Sequence, residues 1–150
     1  MRTLLLSVAA VFAMSAVAQA QCPTVSVSSY GAGCNPAGFD VPAFAGGFNP
    51  NNCELAFKFS GQAGCCNTFL TAKIMILGFA PANSPAPGGC VLLVQPAVFV
   101  FLGPNDVTVS GVIPPTPAAY QVFAQVANQY TTFGVQNDFN LTNGLQVKIS

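Results

Sequence analysis

The sequence contains no histidine, and after Arg2 it contains no arginine. Without imidazole the chain has no side chain poised for acid/base work near neutral pH and no histidine-centred triad. Charge of either sign is scarce, at 5% of residues. Past Ala20 the cations are Lys58, Lys73 and Lys148, and the anions are Asp40, Glu54, Asp106 and Asp138, a formal side-chain charge of −1. Nucleic-acid binding and attachment to anionic lipid both run on clustered Lys and Arg. No such cluster exists, so neither partner is expected. Long apolar runs are missing as well beyond residue 20. The stretch 69–79 includes Lys73, and 90–102 includes Gln95 and Pro96. A membrane-spanning helix needs about 20 apolar residues, so no membrane insertion of the mature chain is expected.

What the chain does have begins at its N-terminus. Met1-Arg2 is a short basic start, 4–17 is an apolar run, and Ala18-Gln19-Ala20 has the A-x-A form of a cleavage site. These are the three parts of a secretory signal peptide. The reading is a signal peptide at 1–20 and one exported domain at 21–150, long enough for a real core. A membrane anchor is the competing reading, but the run is short and Gln19 and Gln21 interrupt its end. A lipoprotein reading of Cys22 fails because Gln21 stands where a small residue is needed. The expected location is extracellular or cell-surface. With so little charge, the surface must be built from Asn, Gln, Ser, Thr and Gly. Such a surface repels copies of itself only weakly, which favours self-association or a matrix setting.

All six cysteines, Cys22, Cys34, Cys53, Cys65, Cys66 and Cys90, lie beyond the leader. An even count in a small exported chain reads as disulfides. A metal site is disfavoured, because there is no C-x-x-C pair and no histidine to complete one. Six cysteines allow fifteen pairings, and spacing does not choose among them. The adjacent Cys65 and Cys66 would diverge on a strand and take different partners.

Period-two alternation dominates. The organising stretch is 119–127, where Tyr120, Val122, Ala124 and Val126 point one way and Gln121, Phe123 and Gln125 the other. Phe123 on the second face suggests that this face is at least partly covered, which places the strand centrally. Strands are also predicted at 24–29, at 54–60 with Leu55, Phe57 and Phe59 inward, at 69–79, at 90–94, at 98–102 as a possible continuation past Pro96, and at 107–113. Segments 39–52 and 81–89 are rich in Gly, Pro and Asn and read as loops. At the C-terminus, Thr142-Asn143-Gly144 is a hairpin signal. A three-residue loop with Gly144 left-handed would set Leu141 against Leu145, Phe139 against Val147 and Asp138 against Lys148. The fold class expected is all-β, an antiparallel β-sandwich of seven to eight short strands stapled by disulfides.

Several motifs follow one order. They are Tyr30-Gly31-Ala32-Gly33-Cys34, Cys90-Val91-Leu92-Leu93-Val94, Ile113-Pro114 with Pro117, 120–125, and Asn143-Gly144-Leu145-Gln146-Val147-Lys148-Ile149. The chain thereby resembles a class of small exported bacterial β-sandwich domains that have no assigned activity. Simpler members of that class keep only the first and mid-chain cysteines, so the resemblance implies a Cys34–Cys90 bridge. Cys22, Cys53, Cys65 and Cys66 depart from the simpler pattern and leave two further bridges open.

Little catalytic chemistry survives this inventory. A serine–lysine arrangement would need Lys58 or Lys73 buried and neutral, whereas a lysine on a strand is expected to point outward. Paired-carboxylate hydrolysis would need Glu54 and Asp138 to face each other across a cleft. Calcium at Asn105-Asp106 or Asn137-Asp138-Phe139-Asn140 would have one carboxylate each, too few for six or more oxygens. The expectation is a non-enzyme with no cofactor and no metal. Asn140-Leu141-Thr142 fits a glycosylation sequon inside the expected hairpin. Two function classes remain: a structural or adhesive exported domain, or a module binding carbohydrate or another neutral ligand. Phe44, Phe48, Tyr130 and Phe133 discriminate them, because exposed together they would make a binding platform.

Overall fold

The computed structural model describes residues 21–36, 41–60, 68–105, 108–115, 118–132 and 136–150. Eleven strands form among these: β1 (Val25–Tyr30), β2 (Ala43–Asn49), β3 (Glu54–Ser60), β4 (Thr68–Gly78), β5 (Pro81–Pro85), β6 (Val91–Val94), β7 (Val98–Leu102), β8 (Thr108–Val112), β9 (Tyr120–Thr132), β10 (Gln136–Leu141) and β11 (Gly144–Ile149). All pairings are antiparallel. The main sheet runs β1-β11-β9-β4-β7, with β10 also on β9, and a second sheet runs β2-β3-β8. A two-stranded ribbon, β5-β6, makes a third layer.

The alternation seen in sequence decides what fills the space between layers. On one face of the main sheet, Met75, Ala124, Val126 and Leu145 pack against Phe44 and Phe59 of the second sheet. Phe44 stacks on Phe59 with ring centroids 5.1 Å apart. A second cluster joins Val147 and Ile149 of β11 to Leu55 of β3. On the opposite face, Phe123 and Ile76 pack against Val94 of the ribbon. The central strand β9 is therefore covered on both sides over its first half, in keeping with Phe123 on its second face.

Two loop expectations and one strand continuation are corrected. The segment 39–52 contains β2, which pairs along its whole length with β3. Its Gly and Asn content hid an alternation in which Phe44, Gly46 and Phe48 face inward. Gly46 is small because β2 passes close to the main sheet; a Cβ there would lie 2.9 Å from Val27 Cγ1. Pro81 and Pro85 likewise sit on a ribbon strand, β5, whose pairing with β6 shifts register between Pro81 and Ser84, and Pro87 opens a short 3-10 turn. Past Pro96 the chain does not continue β6. It crosses to the edge of the main sheet as β7, pairing with β4.

The C-terminal hairpin is also corrected. β10 and β11 do not pair with each other; both run along one edge of β9, with Leu141 opposite Ala127 and Leu145 opposite Ala124. Residues 142–144 thus face only Gln125 and Val126, a one-residue bulge in a continuous run. The Thr142 hydroxyl accepts from Val126 N at 2.9 Å, replacing a ladder bond. Asn143 turns to the second sheet, where its Oδ1 accepts from Phe44 N and its Nδ2 donates to Phe44 O, both at 2.9 Å. Gly144 has no positive φ. It is glycine because the Tyr30 ring lies where a Cβ would point, 2.5 Å from Tyr30 Cζ. Asp138 stands opposite Tyr130, and Lys148 opposite Gln121 and Ser26, so the expected Asp138–Lys148 register is not formed.

Two disulfides close the described structure, Cys22–Cys53 and Cys34–Cys90. The second is the pair that the resemblance implied. Cys65 and Cys66 lie outside the described residues.

Candidate functional site

The ribbon covers only part of the outer face of the main sheet, and its anchors fix where that cover stops. Gln125 on β9 is fully buried beneath it. Its Oε1 accepts from Leu93 N at 2.8 Å, and its Nε2 donates to Val91 O and to Thr142 O. The Tyr30 hydroxyl donates to Leu93 O at 2.7 Å. Burial pushes that hydroxyl above the ordinary tyrosine range. Gly78 lets the chain after β6 come close, since a Cβ there would meet the Gln95 carbonyl oxygen. Cys34–Cys90 ties the approach to β6 back to the main sheet, where Cys34 bridges to Leu141. All these contacts lie towards Tyr30, Gln125 and Gly78.

The other half of that face has no such layer among the described residues. Register places Phe99 and Phe101 of β7 beside Ile76 and Ile74 of β4. It places Phe69 opposite Thr131 and Phe139 opposite Gln129. Odd-numbered residues of β9 face outward with Phe123, so these phenylalanines share one side of the sheet. Phe101 is 76% exposed, Phe69 66% and Phe99 55%. Scattered apolar residues on a surface mean little, but aromatic side chains grouped on one sheet face mark an interaction site. The strip ends at β7, which among the described residues pairs only with β4 and leaves its other edge open. Val98-Phe99-Val100-Phe101-Leu102 carries no charge, no proline and no bulge. It lacks the devices that keep edge strands apart; only Pro96 and Pro104 bound its length.

The aromatics singled out from sequence lie elsewhere. Phe44 and Tyr130 are buried and Phe48 is half-buried. Phe133 lies outside the described residues. Those four form no exposed platform among the described residues. Lys58 is exposed, as a strand lysine should be, but Lys73 is not: it is 3% exposed, with its Nζ 5.2 Å from the Phe59 ring centroid. The outward reading of Lys73 is corrected. β4 is an inner strand, and the face carrying Lys73 is roofed by the second sheet.

Glu54 starts β3 in the second sheet and Asp138 lies on β10 of the main sheet. Hydrogen bonds from Ser110 and Asn52 hold the Glu54 carboxyl below its ordinary range. No group of three or more metal-ligating residues occurs among the described residues. Asn140 is fully buried, so the folded domain does not present its sequon. A shallow depression of about 410 Å³, lined by Ser26, Tyr120, Gln121 and Lys148, opens on the far end of the outer face. Among the described residues no helix is long and apolar enough to cross a membrane.

Comparison with protein-family models, with curated proteins and with solved structures finds no match.

Phe69, Phe99 and Phe101 escaped sequence reading for a physical reason. An apolar strand reads as buried, and whether a partner strand lies beside it is set by topology. The available signal was the uninterrupted apolar run 98–102 beside a strand already rich in apolar residues.

Proposed function

We propose that this chain is an exported structural domain that assembles with copies of itself through the uncovered aromatic strip and the open edge of β7. The observation carrying this reading is the position of exposed Phe99 and Phe101 on an uncharged edge strand. An open edge offers unpaired N–H and C=O groups, and its natural complement is another strand. Two copies of β7 pair antiparallel about a two-fold axis, each presenting the same patch. The nearly neutral chain sets up little repulsion against this. Two disulfides suit an oxidising, extracellular compartment, and the basic-apolar-AxA start of the sequence supports export.

The second reading is a module for carbohydrate or another neutral ligand. It draws on the same exposed rings. The ring type favours self-assembly. Tyr and Trp bring a polar handle suited to a wet ligand, whereas Phe brings only apolar area. The strip holds phenylalanine alone, and the chain has no tryptophan.

Sedimentation velocity over a range of concentrations tests the proposal. The wild-type protein is expected to grow in mass with concentration. Phe99→Lys/Phe101→Lys, placed where the side chains already face water, is expected to stay monomeric with an unchanged circular dichroism spectrum. A wild-type protein that remains monomeric at its solubility limit overturns the reading. A monomer that binds a neutral polysaccharide, and loses that binding in Phe101→Ala, establishes the second reading in its place.

A further inference from the structure

A polar row crosses the outer face of the main sheet at the end away from the phenylalanine strip. Ser26 on β1 stands opposite Lys148 on β11, and Lys148 stands opposite Gln121 on β9. Gln121 shares the outward side of β9 with Phe123, so all three side chains point away from the core. Phe123, next along that side, is buried beneath the ribbon. The row therefore begins where the ribbon's cover ends. Gln146 donates from Nε2 to Gln121 Oε1 at 2.8 Å. That bond takes up the oxygen of the Gln121 carboxamide and leaves its Nε2 as a donor. The row lines the depression of about 410 Å³, a volume within the range of small-ligand sites. Tyr120, Ala119 and Ile149 line it as well. Of the three tyrosines, Tyr30 and Tyr130 donate their hydroxyls to Leu93 O and Asn35 Oδ1. Tyr120 instead stands 41% exposed.

We propose that this depression binds a pyranose unit of a neutral oligosaccharide. The chemistry of the lining selects that class. A pyranose carries hydroxyls around its rim and C–H bonds across its faces, so it asks for closely set polar groups beside carbon surface. Ser26, Gln121 and Lys148 set a hydroxyl, an amide and an ammonium in one row across three strands. Tyr120, Ala119 and Ile149 supply carbon, and a tyrosine joins ring area to a polar tip. A phosphorylated or sulfated ligand asks for several cations, and Lys148 is the only charged side chain lining the depression among the described residues. A wholly apolar ligand would desolvate the ammonium and the amide without pairing them. The site lies on the β1-β11-β9 side of the sheet, whereas Phe99 and Phe101 lie on β7 at the other edge. The inference therefore depends neither on self-assembly nor on a sugar bound by the phenylalanine strip.

Titration of the disulfide-intact protein with neutral oligosaccharides of glucose, galactose, mannose and N-acetylglucosamine, followed by amide chemical shifts, tests the site. At least one sugar is expected to give saturable shifts at millimolar concentration, gathered at 24–26, 119–121 and 148–150. Lys148→Gln and Gln121→Ala are each expected to weaken that binding about tenfold, the loss of one good hydrogen bond. Lys58→Gln, at an exposed lysine on the second sheet, is expected to leave it unchanged. All three positions are exposed, so the variants are expected to keep the wild-type spectrum elsewhere. No saturable shift with any of the sugars overturns the proposal. Shifts gathered at 98–102 overturn it too, because they put the sugar on the phenylalanine strip. Binding that survives both Lys148→Gln and Gln121→Ala at full strength overturns it as well.

Discussion

Gln125 shows how one polar side chain holds a layer in place. It sits on the outward face of β9 with no exposed surface, and it satisfies Leu93 N, Val91 O and Thr142 O at once. A leucine there would fill the space but leave those backbone groups buried and unpaired, at about 1–3 kcal/mol for each group left without a partner. Gln125→Leu is therefore expected to destabilise the domain by about 3 kcal/mol. Urea unfolding with the disulfides intact measures this, and a loss under about 0.5 kcal/mol would contradict the role given to Gln125. Tyr30 performs a related task from β1, and its burial gives stability a pH dependence. Its folded pKa lies above its unfolded value. The contribution is thus fully present below the ordinary tyrosine value near 10 and is lost as pH rises through the folded value. The urea midpoint of the wild type is expected to fall more steeply than that of Tyr30→Phe above about pH 10. Equal slopes would remove Tyr30 from the account. Neither Gln125 nor Tyr30 could be assigned these partners from sequence, because both depend on a ribbon whose position is set by residues far along the chain.

Between elements, the junction of β10 and β11 carries the most information about what sequence can and cannot reveal. Asn143-Gly144 has the composition of a two-strand turn. Its true use comes from its neighbours: Asn143 pairs with the backbone N–H and C=O of Phe44, and Gly144 makes room for the Tyr30 ring. The same dipeptide suits a tight turn and a close approach because both need a small residue and a local hydrogen-bonding side chain. Asn143→Ala is expected to cost about 2 kcal/mol, since Phe44 N and O would lose their partners. Asn143→Asp keeps an acceptor for Phe44 N and is expected to cost less. Equal stability of Asn143→Ala and wild type, by thermal or urea unfolding, would show that the clamp is not used. Elements with strong period-two patterns were legible: β3, β4 and β9 begin or end within a residue or two of expectation, except that β9 runs on to Thr132. β2 and β5 were not legible, because Gly, Pro and Asn in a strand look like a loop unless the pairing partner is known.

At the scale of the molecule, the two disulfides enclose sequence separations of 31 and 56 residues. By the chain-entropy estimate, bridging loops of that size stabilises a fold by about 4 kcal/mol each. Residues from Val91 onward contain no cysteine and hold by packing and ladder bonds. The class of fold was readable, since alternation and turn spacing dictate an antiparallel sandwich. Which strand lies at the edge was not, and the candidate site is a property of that edge. The most direct test of the central claim is therefore the hydrogen exchange of β7 amides as protein concentration rises. Strand pairing between copies predicts that a peptide spanning 98–102 gains protection on association while the exposed outer face of β3 and β8 does not. Association that leaves β7 exchanging as fast as in the monomer would place the contact elsewhere and contradict the account.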